Sequence, residues 1–148
     1  MALKRQAAVK HITVFVYGTL KPGEVNYERY CTRAISQQPA IAYGALYDLP
    51  AGYPAMVAAT EMRRATVVQG CQLQFDDPAC LEALDWLEDY CPHRPPAENE
   101  YYRCQWPIFK PSGQSMGLAW VYLMELWRVQ QMGGRRLDQG FWSGQTST

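Results

Sequence analysis

The chain has 148 residues, 48% of them hydrophobic, enough for one domain with a real core and too few for two of ordinary size. Fourteen basic and fourteen acidic residues cancel to a formal net charge of +0, which excludes the electrostatic footprint of a nucleic-acid or anionic-membrane binder. Five cysteines (Cys31, Cys71, Cys80, Cys91 and Cys104) with no C-x-x-C pair, and only two histidines, His11 and His93, argue against a disulfide framework, a metal site and a histidine-activated nucleophile.

Met1 to Lys10 carries charges and lacks the apolar core of a signal peptide, and no apolar run approaches the ~20 residues that span a bilayer, so a cytoplasmic location is the expectation. The first predicted strand, 12 to 17, is β-branched and aromatic and runs without a polar linker into Gly18-Thr19-Leu20-Lys21-Pro22-Gly23. Gly18 is expected to supply φ > 0 and to let a ligand approach the main chain. On the turn alone, the plain reading is a strand and an ordinary turn. Asn26 is expected to cap a helix running to about Ile35.

Strands follow at about 40 to 48, 54 to 58 and 65 to 75, with glycine or proline punctuation between them. The basic pair Arg63-Arg64 reads as solvated surface, as does Arg135-Arg136 later in the chain. A second helix begins with Asp77 as N-cap and Pro78 at the first helical position. Its Cys80, Leu81, Leu84 and Leu87 recur at helical spacing on one face. At 100° per residue, Glu88 falls between Leu81 and Leu84 on that face, whereas Glu82, Asp85 and Asp89 lie toward or beyond its edge. An inward carboxylate is desolvated and its pKa rises, which suits a proton shuttle near neutral pH. The residues alone leave a plainer alternative open, in which Glu88 ends the helix or pairs with Arg103 or Lys21.

Residues 91 to 100 form a proline-rich polar stretch, read as an exposed excursion, and strands are predicted at about 101 to 109 and 116 to 124. Beyond a core of about 11 to 127, a less regular tail from 128 to 148 is expected to fray at its end. Trp120, Trp127 and Trp142 with Met124, Leu126 and Met132 read either as packing or as an interaction surface. Six strands against two helices, without βαβ alternation, define an α+β fold in a single domain.

Several of these pieces occur in an order seen elsewhere: Tyr17-Gly18-Thr19-Leu20, Gly44-Ala45-Leu46-Tyr47-Asp48-Leu49, Gly52-Tyr53-Pro54-Ala55, Leu84-Asp85-Trp86-Leu87-Glu88, Tyr102-Arg103 and Gly140-Phe141-Trp142. The set resembles the γ-glutamylcyclotransferase-like superfamily over roughly positions 12 to 142. The resemblance implies a small mixed β-barrel flanked by short helices. It implies an enzyme in which the α-amine of a γ-glutamyl group attacks its own γ-carbonyl, releasing 5-oxoproline and an amine or amino acid, with no cofactor. By the same resemblance Glu88 is the catalytic acid/base, and the main chain of Tyr17, Gly18, Thr19 and Leu20 grips the glutamyl head group. Tyr122 stands where relatives often carry a pocket tyrosine, Tyr53 and Pro54 are expected to line the cavity, and Lys21 is expected at its rim. Many relatives have glycine where this chain has Asp89, whose charge would raise the Glu88 pKa further or disturb the turn. Many are also shorter over 91 to 100. Threonine at the third loop position, where the glutathione-degrading branch usually has serine, ranks glutathione lower as a substrate. The expected state is a monomer or weak homodimer with a small-molecule γ-glutamyl substrate as its partner. A non-catalytic ligand-binding or protein-interaction module on the same fold is the alternative.

Overall fold

The computed structural model describes residues 11–144; the N-terminal decapeptide and the end of the tail, on which two of the expectations above fall, lie outside it. The described residues form seven strands: β1 (Ile12–Val16), β2 (Ser36–Asp48), β3 (Pro54–Ala58), β4 (Thr66–Phe75), β5 (Tyr102–Phe109), β6 (Ser115–Leu123) and β7 (Arg135–Arg136). Three short helices accompany them: α1 (Tyr27–Tyr30), α2 (Ala79–Leu87) and α3 (Leu126–Gln131). The pairing order β2-β4-β1-β6-β5 returns to β2 through Ile41 opposite Phe109, which closes a five-stranded barrel. The β1–β6 pairing is parallel and the other ladders are antiparallel, so the barrel is mixed. β3 and β7 extend the sheet from the far half of β2.

β1 is apolar on both faces because both are covered. Phe15 and Tyr17 pack with Ala42, Val68, Ile108 and Val121 in the barrel interior. Val14 and Val16 face a second cluster that includes Leu73, Phe75 and Leu84, the buried residue of α2. The barrel thereby fixes the end of β1 beside the end of α2, and the site forms between them.

Asp77 caps α2 as expected, its Oδ1 accepting from the Ala79 N–H at 2.9 Å. α1, in contrast, is a single turn that stops at Tyr30. Asn26 makes no capping bond, because its side chain instead donates to Thr19 Oγ1 at 3.0 Å. The helix is cut short by β2, which starts four residues earlier than its composition indicated. Ser36 to Pro39 pair with Gln74 to Cys71, and polar rungs from Ser36 to Gln74 (3.1 Å) and Gln38 to Gln72 (2.8 Å) replace the missing apolar signal.

The C-terminal region is more regular than its sequence implies. It holds α3 and β7, and Arg136 is half-buried, donating to the Arg64 carbonyl at 2.9 Å, so only Arg135 of that pair is well exposed. Gly140 has φ 69° and a Cβ there would stand 1.8 Å from the Val67 carbonyl oxygen, a place only glycine fits. The turn delivers Trp142 into the barrel cluster, where its Nε1 donates to Asp48 Oδ1 at 2.9 Å. Met124 is fully buried, Trp120, Leu126 and Met132 pack against the core, and Trp127 is exposed beneath Arg128. All five cysteines are free thiols.

Candidate active site

A cavity of about 190 Å³ opens where β1 ends, lined by Tyr17, Gly18, Thr19 and Leu20 on one side and by Leu87 and Glu88 of the α2 terminus on the other. Tyr53, Pro54, Glu100, Tyr101 and Tyr122 complete the wall. Every sequence-predicted site residue, Tyr17, Gly18, Thr19, Leu20, Glu88 and Tyr122, is therefore brought to one space.

The loop is shaped by sterics. Gly18 does not adopt the positive φ expected of it; it is glycine because a Cβ would lie 2.5 Å from Pro54 Cγ and 2.9 Å from Cδ. The close approach of the Pro54 ring lets the loop fold back over the barrel end. A turn closes it through Lys21 N–H to the Gly18 carbonyl at 3.0 Å, and Asn26 N–H reaches the Thr19 carbonyl at 2.9 Å. Among the described residues, no protein acceptor takes the N–H groups of Gly18, Thr19 or Leu20. These donors stand beside the cavity as an anion or oxyanion would require.

Glu88 occupies the C-cap of α2, its N–H bonded to the Leu84 carbonyl at 2.9 Å. Its carboxyl lines the cavity and takes part in no hydrogen bond or ion pair among the described residues. Burial raises its pKa from 4.5 to about 8, and the nearby charge of Glu100 adds to the rise. Pairing with Arg103 or Lys21 is overturned by what those cations do. Arg103 grips Asp85 with two bonds, Nε to Oδ1 at 2.8 Å and Nη2 to Oδ2 at 3.2 Å. Lys21 is not at the cavity rim; it is buried beneath the C-terminal segment, its ammonium bonded to the Trp142 carbonyl and 4.1 Å from the Phe141 ring centre. Burial lowers its pKa.

The tyrosines hold the frame. Tyr17 donates its hydroxyl to the Tyr122 carbonyl at 2.6 Å and accepts from the Met56 N–H at 3.1 Å, which leaves its ring to form the cavity floor. Tyr101 donates to the Pro54 carbonyl at 2.6 Å. The Tyr122 hydroxyl donates to Asp85 Oδ1 at 2.6 Å, and burial, followed by that bond, raises its pKa. Asp85 is thus no edge residue. It is half-buried one turn before Glu88 and locks α2 to β5 and β6 through Arg103 and Tyr122. Its angular position on the helix concealed this, since the partners come from strands distant in sequence.

Asp89, the residue after Glu88, has φ 56°, a left-handed conformation that glycine adopts freely and Asp tolerates better than most. Arg94 binds its carbonyl at 2.8 Å and its Oδ1 at 3.0 Å. Its charge is met there, and Glu88 responds to burial and Glu100 instead. The 91 to 100 excursion is exposed along most of its length, as read, yet ends in a clamp. Asn99, buried, accepts from Cys91 N–H at 3.0 Å and Arg94 Nε at 2.9 Å and donates to the Cys91 carbonyl at 3.1 Å. The clamp turns Glu100 into the cavity, where it accepts a short hydrogen bond from Tyr53. Glu100 went unnoticed in the sequence, and its position at the return of a polar excursion was the one signal that pointed inward.

Among the described residues, no group of three or more His, Cys, Asp or Glu side chains is placed to hold a metal ion, and no helix is long and apolar enough to cross a membrane.

Residues 14–144 match the family model described as gamma-glutamyl cyclotransferase, AIG2-like, and the chain belongs to that family. Membership supports a cyclotransferase-type activity. The fold is shared with YkqA from Bacillus subtilis at 21% identity and TM-score 0.63, over 90% of this chain and 40% of that one, so this chain spans well under half of that protein. An AIG2-like protein from Mus musculus matches at 18% identity and TM-score 0.60, covering 92% of this chain and 90% of that one. The uropathogenic Escherichia coli protein c4763 matches at 18% identity and TM-score 0.59, with 90% and 93% covered. No curated protein matches the sequence.

Proposed function

We propose that this protein is a γ-glutamyl cyclotransferase that converts a γ-glutamyl compound into 5-oxoproline and a free amine or amino acid, without a cofactor, using Glu88 as acid and base. The single observation that carries the reading is an unpaired carboxyl with pKa raised to about 8 facing a cavity whose opposite wall is a loop of unclaimed N–H groups.

Nucleophile and electrophile are tethered in such a substrate, so the site has three tasks: to hold the chain curled, to move one proton and to stabilise one oxygen. The loop main chain from Tyr17 to Leu20 would receive the α-carboxylate or the γ-carbonyl oxygen. Glu88 takes a proton from the α-amine as nitrogen attacks the γ-carbon, then returns it to the leaving nitrogen as the original C–N bond breaks. A carboxyl with pKa near 8 suits both transfers, since the ideal shuttle lies near the working pH. The Asp85–Tyr122–Arg103 cluster holds the α2 terminus in place. We propose the substrate to be a small γ-glutamyl molecule met in the cytoplasm by a monomer or weak homodimer. Incubation with γ-glutamyl amino acids, γ-glutamyl amines and glutathione, followed by assay for 5-oxoproline, tests the reading. Release from at least one member is expected, with glutathione a poor substrate, and no release from any would overturn it.

A further inference from the structure

Among the described residues, two carboxylates enter this cavity and no cation does. Its lining contains Glu88 and Glu100 and neither lysine nor arginine. The nearby cations are engaged elsewhere: Arg103 with Asp85, Arg94 with Asp89, and Lys21 with the Trp142 carbonyl. Two like charges in one low-dielectric space are unfavourable unless one binds a proton or a ligand brings positive charge.

Glu100 is also a built feature. Its N–H donates to the Asp89 carbonyl at 3.1 Å, tying it to the residue after Glu88. The Asn99 clamp fixes the backbone on its other side, and the Tyr53 hydroxyl, from the turn before β3, holds its carboxylate. Among the described residues, the remaining groups that face Glu88 are the hydroxyls of Tyr17, Tyr53, Tyr101 and Tyr122 and the buried thiol of Cys31, all held neutral by burial. None can balance the pair.

Resting on the cyclotransferase reading, the geometry points to Glu100 as the residue that receives the substrate's α-ammonium and orients it toward Glu88. One N–H of the ammonium bonds to Glu100 and another points to Glu88. The proton passes to Glu88, converting R–NH3+ and carboxylate into R–NH2 and carboxylic acid. The neutral amine stays tethered to Glu100 by a remaining N–H, so its lone pair faces the γ-carbon. Glu88 releases this first proton to solvent, takes the second proton of the attacking nitrogen as the C–N bond to the γ-carbon forms, and passes it to the leaving nitrogen as the bond to that nitrogen breaks. Burial, with the charge of Glu100 adding to it, keeps Glu88 basic enough to accept from an amine.

The test compares wild type, Glu100→Gln and Glu100→Asp by calorimetry with L-glutamine and with glutaramate, which lacks only the α-amine, and by kinetics on the substrates found. Wild type should bind L-glutamine at least tenfold tighter than glutaramate, and Glu100→Gln should lose that preference while keeping its glutaramate affinity. KM should rise at least tenfold for every γ-glutamyl substrate whatever its leaving group. The acid limb of kcat/KM should move to lower pH, and Glu100→Asp should restore part of each effect. An unchanged preference and pH profile, an equal loss of affinity for both ligands, or a KM rise confined to substrates with a cationic leaving group would each overturn the assignment. The binding arm needs no turnover: a wild type that prefers L-glutamine yet forms no 5-oxoproline from any substrate contradicts the cyclotransferase reading and leaves the ammonium site standing.

Discussion

Glu88 should weaken the fold it serves, and the size of that effect follows from its surroundings. Its pKa rises from 4.5 to about 8 on folding, mainly through burial, and among the described residues its carboxyl has no partner to offset the loss of water. A carboxyl whose folded pKa is raised binds its proton more tightly folded than unfolded. Stability is therefore fully present below pH 4.5 and is lost progressively as pH rises to about 8. At about 1.4 kcal/mol per unit, the full shift corresponds to roughly 5 kcal/mol. The carboxyl opens onto a cavity that retains part of its hydration, so the measurable effect is set at about 1–3 kcal/mol. Glu88→Gln keeps the shape, stays neutral at every pH and abandons no hydrogen bond. It should match wild type near pH 4.5 and exceed it by that amount at pH 8.5, a Tm difference of several degrees at about 3 °C per kcal/mol. Thermal or urea melts of both proteins from pH 4.5 to 8.5 measure the difference. A gap independent of pH, or a mutant less stable at pH 8.5, would refute the inward, unpaired placement of Glu88.

The same ionisation should shape catalysis: kcat/KM on any accepted γ-glutamyl substrate should climb with pH along a limb centred near pH 8, where free Glu88 loses its proton, and a limb centred near the ordinary carboxylate value would contradict the raised pKa. Gly18→Ala places a methyl group against the Pro54 ring, so millimolar 5-oxoproline should raise the Tm of wild type and leave that of the variant unmoved; an equal shift would free the loop of its role. At Asp89, whose φ is 56°, alanine should be less stable than glycine by about 1 kcal/mol in urea melts, and equal stability would argue against the left-handed conformation.

Much of the barrel was legible because its strands obey local rules. Ile12 to Val16 announces itself by β-branched composition, Pro54 to Ala58 by its bounding turn, and α2 by the Asp77-Pro78 start and the spacing of its leucines. Glu88 was legible for the same reason, since a helical period places it on the buried face. Residues whose roles depend on distant partners were not. Ser36 to Pro39 is polar and becomes strand only because Gln72 and Gln74 pair with it. Asp85 is held by Tyr122 and Arg103, 37 and 18 residues away. Lys21 is drawn from the rim by Trp142, 121 residues on. Glu100 owes its direction to a clamp of Asn99, Arg94 and Cys91 that no periodicity reveals. Gly18 lines the cavity without the torsion expected of it; a proline ring 36 positions later supplies the reason for glycine there.

The most direct test of the account is the rate at which wild type and Glu88→Gln release 5-oxoproline from the same γ-glutamyl substrate under saturating conditions. The account predicts turnover by wild type and a loss of at least ~100-fold in the variant, with ligand affinity retained, as expected when a proton shuttle is removed from an intact cavity. A Glu88→Gln protein that turns over at close to the wild-type rate would contradict it.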